Sequence, residues 1–182
     1  MELSQNIYVS LVDLEDNVIG QMEKLETHKQ GLLHRAFSVL IFNDKKELLL
    51  QRRAFGKYHS EGLWTNTCCS HPMPEESNLT AAHRRLQEEM GFDCELMELF
   101  YFIYKADLDN NLIEHELDHV LIGHSNQEPN LNKDEAIDFK WMNLEEVKKA
   151  IIIQPTEFTF WFKIIILEHF NKIHEYLKNE SL

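Results

Sequence analysis

Short apolar runs set off by polar turns dominate the first half of this chain, and amphipathic runs of helical period appear only later. Ile7 to Asp13 reads as a strand running into a Glu15-Asp16-Asn17 turn, and Ala36 to Phe42 and Glu47 to Arg53 flank Asn43-Asp44-Lys45-Lys46. β-formers bounded by turn residues predict strands, so the second pair predicts a hairpin. Leu96 to Asp107 and Leu112 to Gly123, separated by Asp109-Asn110-Asn111, predict a longer one. Helical signals are confined to three places. Leu79, Ala82, Leu86 and Met90 recur at helical spacing within Asn78 to Met90, with Gly91 as the C′ stop. Asn143 with Glu146 resembles a capping box opening a short helix to about Ile152, and Thr156 to about Lys178 predicts a long C-terminal helix. Strands early and a long closing helix give an α+β class.

The chain has 182 residues, 43% of them hydrophobic, with only 6 glycines and 4 prolines and no repeat or linker. That length and evenness predict a single domain over 1–182. The formal net charge of -13 repels nucleic acid and anionic membranes, so neither is an expected partner. A phosphate-bearing ligand must then be small and held by local cations. Three cysteines, two of them adjacent at Cys68 and Cys69, make no disulfide framework and suit a reducing, cytoplasmic setting. The opening Met1-Glu2-Leu3-Ser4 lacks the basic and apolar regions of a signal peptide. Phe158 to Leu167 is about half the ~20 residues of a membrane span and reads as a buried helix.

Among the 10 histidines, His28, His34 and His71 lie close to a cysteine or to one another. Glu114 and Glu116 stand two apart in a strand and so share a face. Paired acids among apolar neighbours need water or a cation, and together the five would make an N3O2 site suited to Mn²⁺, with Zn²⁺ left open. A second cluster is Arg84-Arg85-Leu86-Gln87-Glu88-Glu89-Met90-Gly91, with Glu76 eight residues before Arg84. It reads either as an amphipathic helix with Arg84–Glu88 and Arg85–Glu89 pairs or as a functional box. The pattern Glu-x7-Arg-x-Leu-x-Glu-Glu-x-Gly-Phe resembles the Nudix box, whose glutamates hold Mg²⁺ against a diphosphate. Ser70 stands where the box opens with Gly. Arg85 stands where a hydrolase carries a Glu, which favours holding a diphosphate over cleaving it.

A closer resemblance lies in Gly31-Leu32-Leu33-His34-Arg35-Ala36-Phe37-Ser38, Thr65-Asn66-Thr67-Cys68-Cys69-Ser70-His71-Pro72 and Glu114-His115-Glu116. These segments are similar to type 1 isopentenyl-diphosphate isomerases, in order, from about Lys24 to about Trp161. The resemblance implies a cytoplasmic, monomeric or weakly dimeric enzyme on a Nudix-type α/β/α sandwich with a mixed sheet and a core of about 24–165. It would interconvert isopentenyl and dimethylallyl diphosphate through a tertiary carbocation. By the same resemblance Cys69 and Glu116 carry the proton transfers, assisted by Tyr104 and Trp161. Lys24, Arg53, Lys57 and Arg85 bind diphosphate and Glu89 binds the Mg²⁺ that accompanies it. His28, His34, His71, Glu114 and Glu116 hold Mn²⁺ or Zn²⁺. The alternatives are a Nudix hydrolase of an organic diphosphate and a non-catalytic binding module.

Overall fold

A computed structural model describes residues 7–179. Nine strands form one mixed sheet: β1 (Tyr8–Val12), β2 (Val18–Glu23), β3 (His34–Phe42), β4 (Glu47–Arg53), β5 (Trp64–Thr65), β6 (Cys68–Ser70), β7 (Leu96–Asp107), β8 (Ile113–His124) and β9 (Ala136–Asn143). The helices are α1 (Lys24–Gln30), α2 (Asn78–Met90), α3 (Leu144–Ile153), α4 (Phe160–Glu168) and α5 (Phe170–Asn179). β3 is the hub. It pairs with β8 in parallel from His34↔Glu116 to Phe42↔His124, while β1, β6 and β4 meet it in antiparallel sense.

Strand alternation sends β3 side chains into two cores. Leu40 and Phe42 pack with β7 and β8 side chains under α3, α4 and α5, while Phe37, Val39 and Ile41 pack under Ala81, Ala82, Leu86 and Met90 of α2. The result is helix, sheet, helix. Among the described residues no helix is long and apolar enough to cross a membrane.

The predicted α2 bounds agree with the structure: the Ser77 hydroxyl caps the Thr80 N–H, and Gly91 closes the helix at φ 75°. Leu79, however, lies on the exposed side, because Ala81 rather than Leu79 completes the buried stripe. Gly91 is required twice over, since any Cβ there would stand 2.6 Å from the Asn130 carbonyl oxygen. The 96–123 hairpin forms as predicted. The 36–53 hairpin does not zip: its turn forms around the Asn43 side chain, but β3 and β4 pair only at Phe42↔Leu48. β4 instead pairs along its length with β9.

The chain from Thr65 to Thr67 fills the resulting opening. Thr67 Oγ1 donates to Leu49 O at 2.7 Å and accepts from Ile41 N at 3.0 Å, so one side chain stands in for the missing ladder. Asn66 Nδ2 donates to Cys68 O and Val39 O. Five elements fall outside the sequence expectations: helix α1 and strands β2, β5, β6 and β9. α1 is short, capped by the Glu23 carboxylate and ended by Gly31 at φ 61°. The predicted long C-terminal helix starts late and is broken: residues 155–157 form a 3-10 turn, and His169 leaves helical geometry at φ -110°, ψ 13°. The kink lets Phe170, Ile173 and Leu177 turn onto the same core as Phe162 and Ile166.

Candidate functional site

The candidate residues line one cavity: Lys24 of α1, Arg53 and Lys57, Cys69 and His71, Arg85 and Glu89 of α2, Glu114 and Glu116 of β8, and Trp161 of α4. Cys68 and Cys69 are separated by strand alternation. Cys68 is fully buried under α2, whereas Cys69 faces the cavity beside its cross-strand partner Ser38. β6 and β8 lie on opposite sides of β3, so Cys69 and Glu116 reach the cavity from opposite flanks.

Helix α1 places Lys24 and His28 one turn apart on one face. His28 Nδ1 lies 2.7 Å from Lys24 O, and His34 Nδ1 lies 2.8 Å from Leu32 O. A carbonyl only accepts, so both Nδ1 atoms carry the proton and both Nε2 atoms present lone pairs. His28 Nε2 is buried without a hydrogen-bond partner. His34 Nε2 lies 3.2 Å from His71 Nε2, which is 2.9 Å from Glu116 Oε1. Burial, aided by nearby cationic groups, lowers His28 to about 4 and His71 to about 3, keeping both imidazoles neutral. Lone pairs that converge on a carboxylate repel one another unless a cation lies between them, so this donor set fits a divalent metal ion. His28, His34, His71 and Glu116 present donor atoms within 4.8 Å of one another, and Glu114 joins His28 and His59 in an overlapping set.

Glu114 and Glu116 do share a face. Tyr104 Oη lies 2.9 Å from Glu114 Oε2 and 2.7 Å from Glu116 Oε2, yet it has one proton to give. Burial, then the Glu116 charge, pushes the Glu114 carboxyl well above the usual range. Glu116 goes the other way: burial opposes ionisation, but the neighbouring His34 ring and the contact with His71 Nε2 at 2.9 Å outweigh it.

At the other end the cations and α2 interlock. Arg85 donates to Glu89 Oε1 from Nη2 at 2.6 Å and from Nε at 3.1 Å, reaches Glu88 at 2.8 Å and Glu135 at 3.1 Å. Burial works against the guanidinium charge, but Glu89 and Glu135 hold its proton above the ordinary arginine range. Lys57 also pairs with Glu135, and Gln51 Nε2 donates to Glu89 Oε2 at 2.9 Å. Arg84 is different. It grips Glu76 at 2.7 and 2.9 Å and so braces the approach to α2. Arg53 Nη1 comes 3.9 Å from Cys69 Sγ while the guanidinium sits 5.3 Å from the Trp161 ring centroid. Trp161 Nε1 donates to Asn66 Oδ1 at 3.1 Å, which fixes the ring. Burial pushes the Cys69 thiol up to about 12 with Arg53 opposing, so it stays protonated near neutrality.

Residues 32–162 match the NUDIX domain family. The chain is 55% identical over 156 residues to the Isopentenyl-diphosphate Delta-isomerase 2 of Photorhabdus laumondii, covering 86% of this chain and 88% of that protein. It is 43% identical over 179 residues to the Isopentenyl-diphosphate Delta-isomerase of Aliivibrio fischeri strain MJ11, covering 92% of this chain and 97% of that protein. The chain belongs to the isopentenyl-diphosphate Delta-isomerase family within the NUDIX fold. Among solved structures, a Deinococcus radiodurans protein superposes with TM-score 0.73 at 16% identity, covering 88% of this chain and 98% of that one. A MutT protein from Methanosarcina mazei gives 0.62 at 21% identity, covering 79% and 96%. Both likenesses concern the fold alone.

Within this isomerase-family chain, the candidate residues named from sequence meet at one cavity or in the histidine–glutamate cluster beside it, except Tyr104, which joins them through Glu114 and Glu116. Several lining residues were missed, three of which bond or face candidate residues directly. His59 sits in an unremarkable loop, Gln51 hides in an apolar strand, and Glu135 lies in the 125–135 connection, whose Asn130 and Asn132 N–H groups bond the α2 carbonyls of Met90 and Glu89. Ten histidines were the one signal available for His59; charge spacing could not reach the others, whose partners lie 38 and 78 residues away.

Proposed function

We propose that this protein interconverts isopentenyl diphosphate and dimethylallyl diphosphate by adding a proton at one carbon and removing one from another. The observation that carries the reading is the placement of Cys69 and Glu116 on strands flanking β3, both facing one cavity. Double-bond transposition needs an acid and a base at different carbons, and two groups on opposite flanks of a bound chain meet that need. The protonated Cys69 thiol has a proton to give, and Glu116, kept ionised by its imidazole neighbours, has the capacity to take one. Protonation of the terminal methylene leaves positive charge on the tertiary carbon, and loss of a proton from the adjacent CH₂ gives the allylic product. Trp161 supports the cationic stage. Its ring face already accepts the Arg53 guanidinium, and cation–π attraction in a desolvated site is worth about 2 kcal/mol or more.

The diphosphate is assigned to the polar end. Lys24, Arg53, Lys57 and Arg85 converge there, overriding locally the acidic net charge of the chain. Glu89 is the carboxylate suited to share a Mg²⁺ with the diphosphate, because a hard cation takes carboxylate and phosphate oxygens together. His28, His34, His71, Glu114 and Glu116 would hold Mn²⁺ or Zn²⁺. That ion would supply a fixed positive charge that sets the proton affinity of the Glu116 carboxyl. Tyr104 positions both carboxylates, and His34 and His71 orient Glu116.

The deciding assay incubates the protein with isopentenyl diphosphate and Mg²⁺. Formation of the acid-labile allylic diphosphate without released phosphate is the expected result. Phosphate release without the isomer would assign the site to hydrolysis instead.

A further inference from the structure

His59 is not among the five residues read as cation ligands, yet its ring lies within their cluster. The side chain is 5% exposed. Its Nδ1 is 3.2 Å from the Ser60 hydroxyl, and its Nε2 points at Glu114, 3.5 Å from Oε1. The ring stacks on His28 with centroids 6.0 Å apart and planes at 28°. At 3.5 Å the contact with Glu114 is long for a hydrogen bond. It suits two donors on one ion: with ligand bonds near 2.0 to 2.2 Å, donor atoms stand about 3 to 4.4 Å apart. His28, His59 and Glu114 present donor atoms within 4.8 Å of one another, and so do His28, His34, His71 and Glu116. The two sets share His28, whose one unpartnered Nε2 serves a single ion, and they are joined again where Tyr104 bridges Glu114 and Glu116.

We propose that His59 is a fourth imidazole of this cation site, donating through Nε2 beside Glu114 and thereby tying the loop that carries Lys57 to the metal centre. The inference rests on reading the cluster as a cation site. Its second part follows from the loop's other anchors. Arg53 donates from Nε to Ser60 O at 3.1 Å and from Nη2 to His59 O at 3.3 Å, so the segment is gripped by a diphosphate-end cation on one side. Lys57, two residues earlier, pairs with Glu135, which also meets Arg85. A cation bound through His59 would fix the same segment from the other side. Metal occupancy and anion binding then share one element, and linkage makes any effect of one on the affinity of the other reciprocal.

The test uses metal-free protein and Mn²⁺ alone. Calorimetric titration of wild type, His59→Ala and His59→Gln is expected to give one ion per chain, bound at least about tenfold more weakly in His59→Ala, since even loss of an outer-shell partner costs roughly 10- to 100-fold. The melting curve of each metal-free variant checks that it is folded, and glutamine keeps a hydrogen-bonding side chain whose carbonyl oxygen can take the ligand position while removing the imidazole from the spin-echo signal. Electron spin-echo spectra of the Mn²⁺ complexes should show one coordinated imidazole fewer in each variant. Wild-type affinity in folded His59→Ala, or an unchanged imidazole signal in either variant, would overturn the inference while leaving the cluster reading intact. A wild-type protein that takes up no Mn²⁺ would overturn both.

Discussion

Arg85 and Glu89 stand one helical turn apart and close a two-pronged contact at 2.6 and 3.1 Å inside the cavity. Two further carboxylates, Glu88 and Glu135, complete the surroundings of the guanidinium. Arg85→Glu would therefore place a fourth acid among three. Diphosphate affinity should fall by well over tenfold, since a hydrogen bond to a charged group contributes about 1.5 to 3 kcal/mol, and stability should fall too because Glu89 is buried. Arg85→Lys should lie between, lacking the bidentate fork. Titration with isopentenyl diphosphate at fixed Mg²⁺ checks this; wild-type affinity in Arg85→Glu would make Arg85 a purely structural residue.

The adjacent cysteines should separate function from packing. Cys69→Ala should keep the fold and lose roughly 10² to 10⁴ or more in isomerisation rate. Cys68→Ala should keep activity and lose about 1 kcal/mol of stability, the order expected for deleting one buried heavy atom. Paired rate and denaturation measurements on the two variants distinguish these outcomes, and equal rates would contradict the assignment.

The high proton affinity of the Cys69 thiol has a pH signature. Its ordinary value of 9.0 is raised to about 12 by burial, so the folded state holds a proton that the unfolded state gives up between those values. Stability attributable to this group is complete below about 9 and declines as pH rises toward 12. Alkylation of native Cys69 should be slow at neutral pH and climb throughout the alkaline range. Fast iodoacetamide labelling at pH 7 would mean that the Arg53 charge prevails over burial.

Removal of metal should be visible without any assay of turnover. A ligand at 100 times its dissociation constant stabilises the native state by about 2.7 kcal/mol. For a chain of this size that amounts to roughly 5–10 °C in melting temperature. Chelator-treated protein should regain that margin on adding Mn²⁺ or Zn²⁺, and His71→Ala should recover little of it.

Gly91→Ala tests the link between α2 and the cavity. The left-handed φ of 75° and the 2.6 Å approach to Asn130 O both oppose a side chain. A loss of about 1–3 kcal/mol is expected from backbone strain. The 125–135 connection would also shift, and Glu135 with it, so anion affinity should weaken alongside stability in calorimetric titration.

Much of the site was legible because its chemistry is compact in sequence. His34, Cys69, His71, Glu114 and Glu116 lie in short motifs on three strands or, for His71, one residue past a strand end, and the period of a strand or helix fixes which neighbours face together. Helix α2 was legible to its end residues because it carries its own cap and stop. What escaped was decided by tertiary contact. The β3–β4 pairing yielded to β9 and to Thr67, whose side chain supplies ladder hydrogen bonds from elsewhere in the chain. α1 has too few residues to show a periodic pattern, and the break at His169 follows from the need of Phe170 to reach the core.

The parallel register of β3 with β8 sets the order in which this protein can acquire its chemistry. His34 and Glu116 are neighbours across that register, yet β4, α2 and β7 all intervene along the chain. No local hairpin can build the cation cluster in advance. The search for this distant pairing carries the loop-closure entropy that slows folding of non-local topologies, so the secondary structure of α2 and of the β7–β8 ribbon can precede a competent pocket. A nascent chain would hold every reactive side chain and still be inert until its two distant strands met.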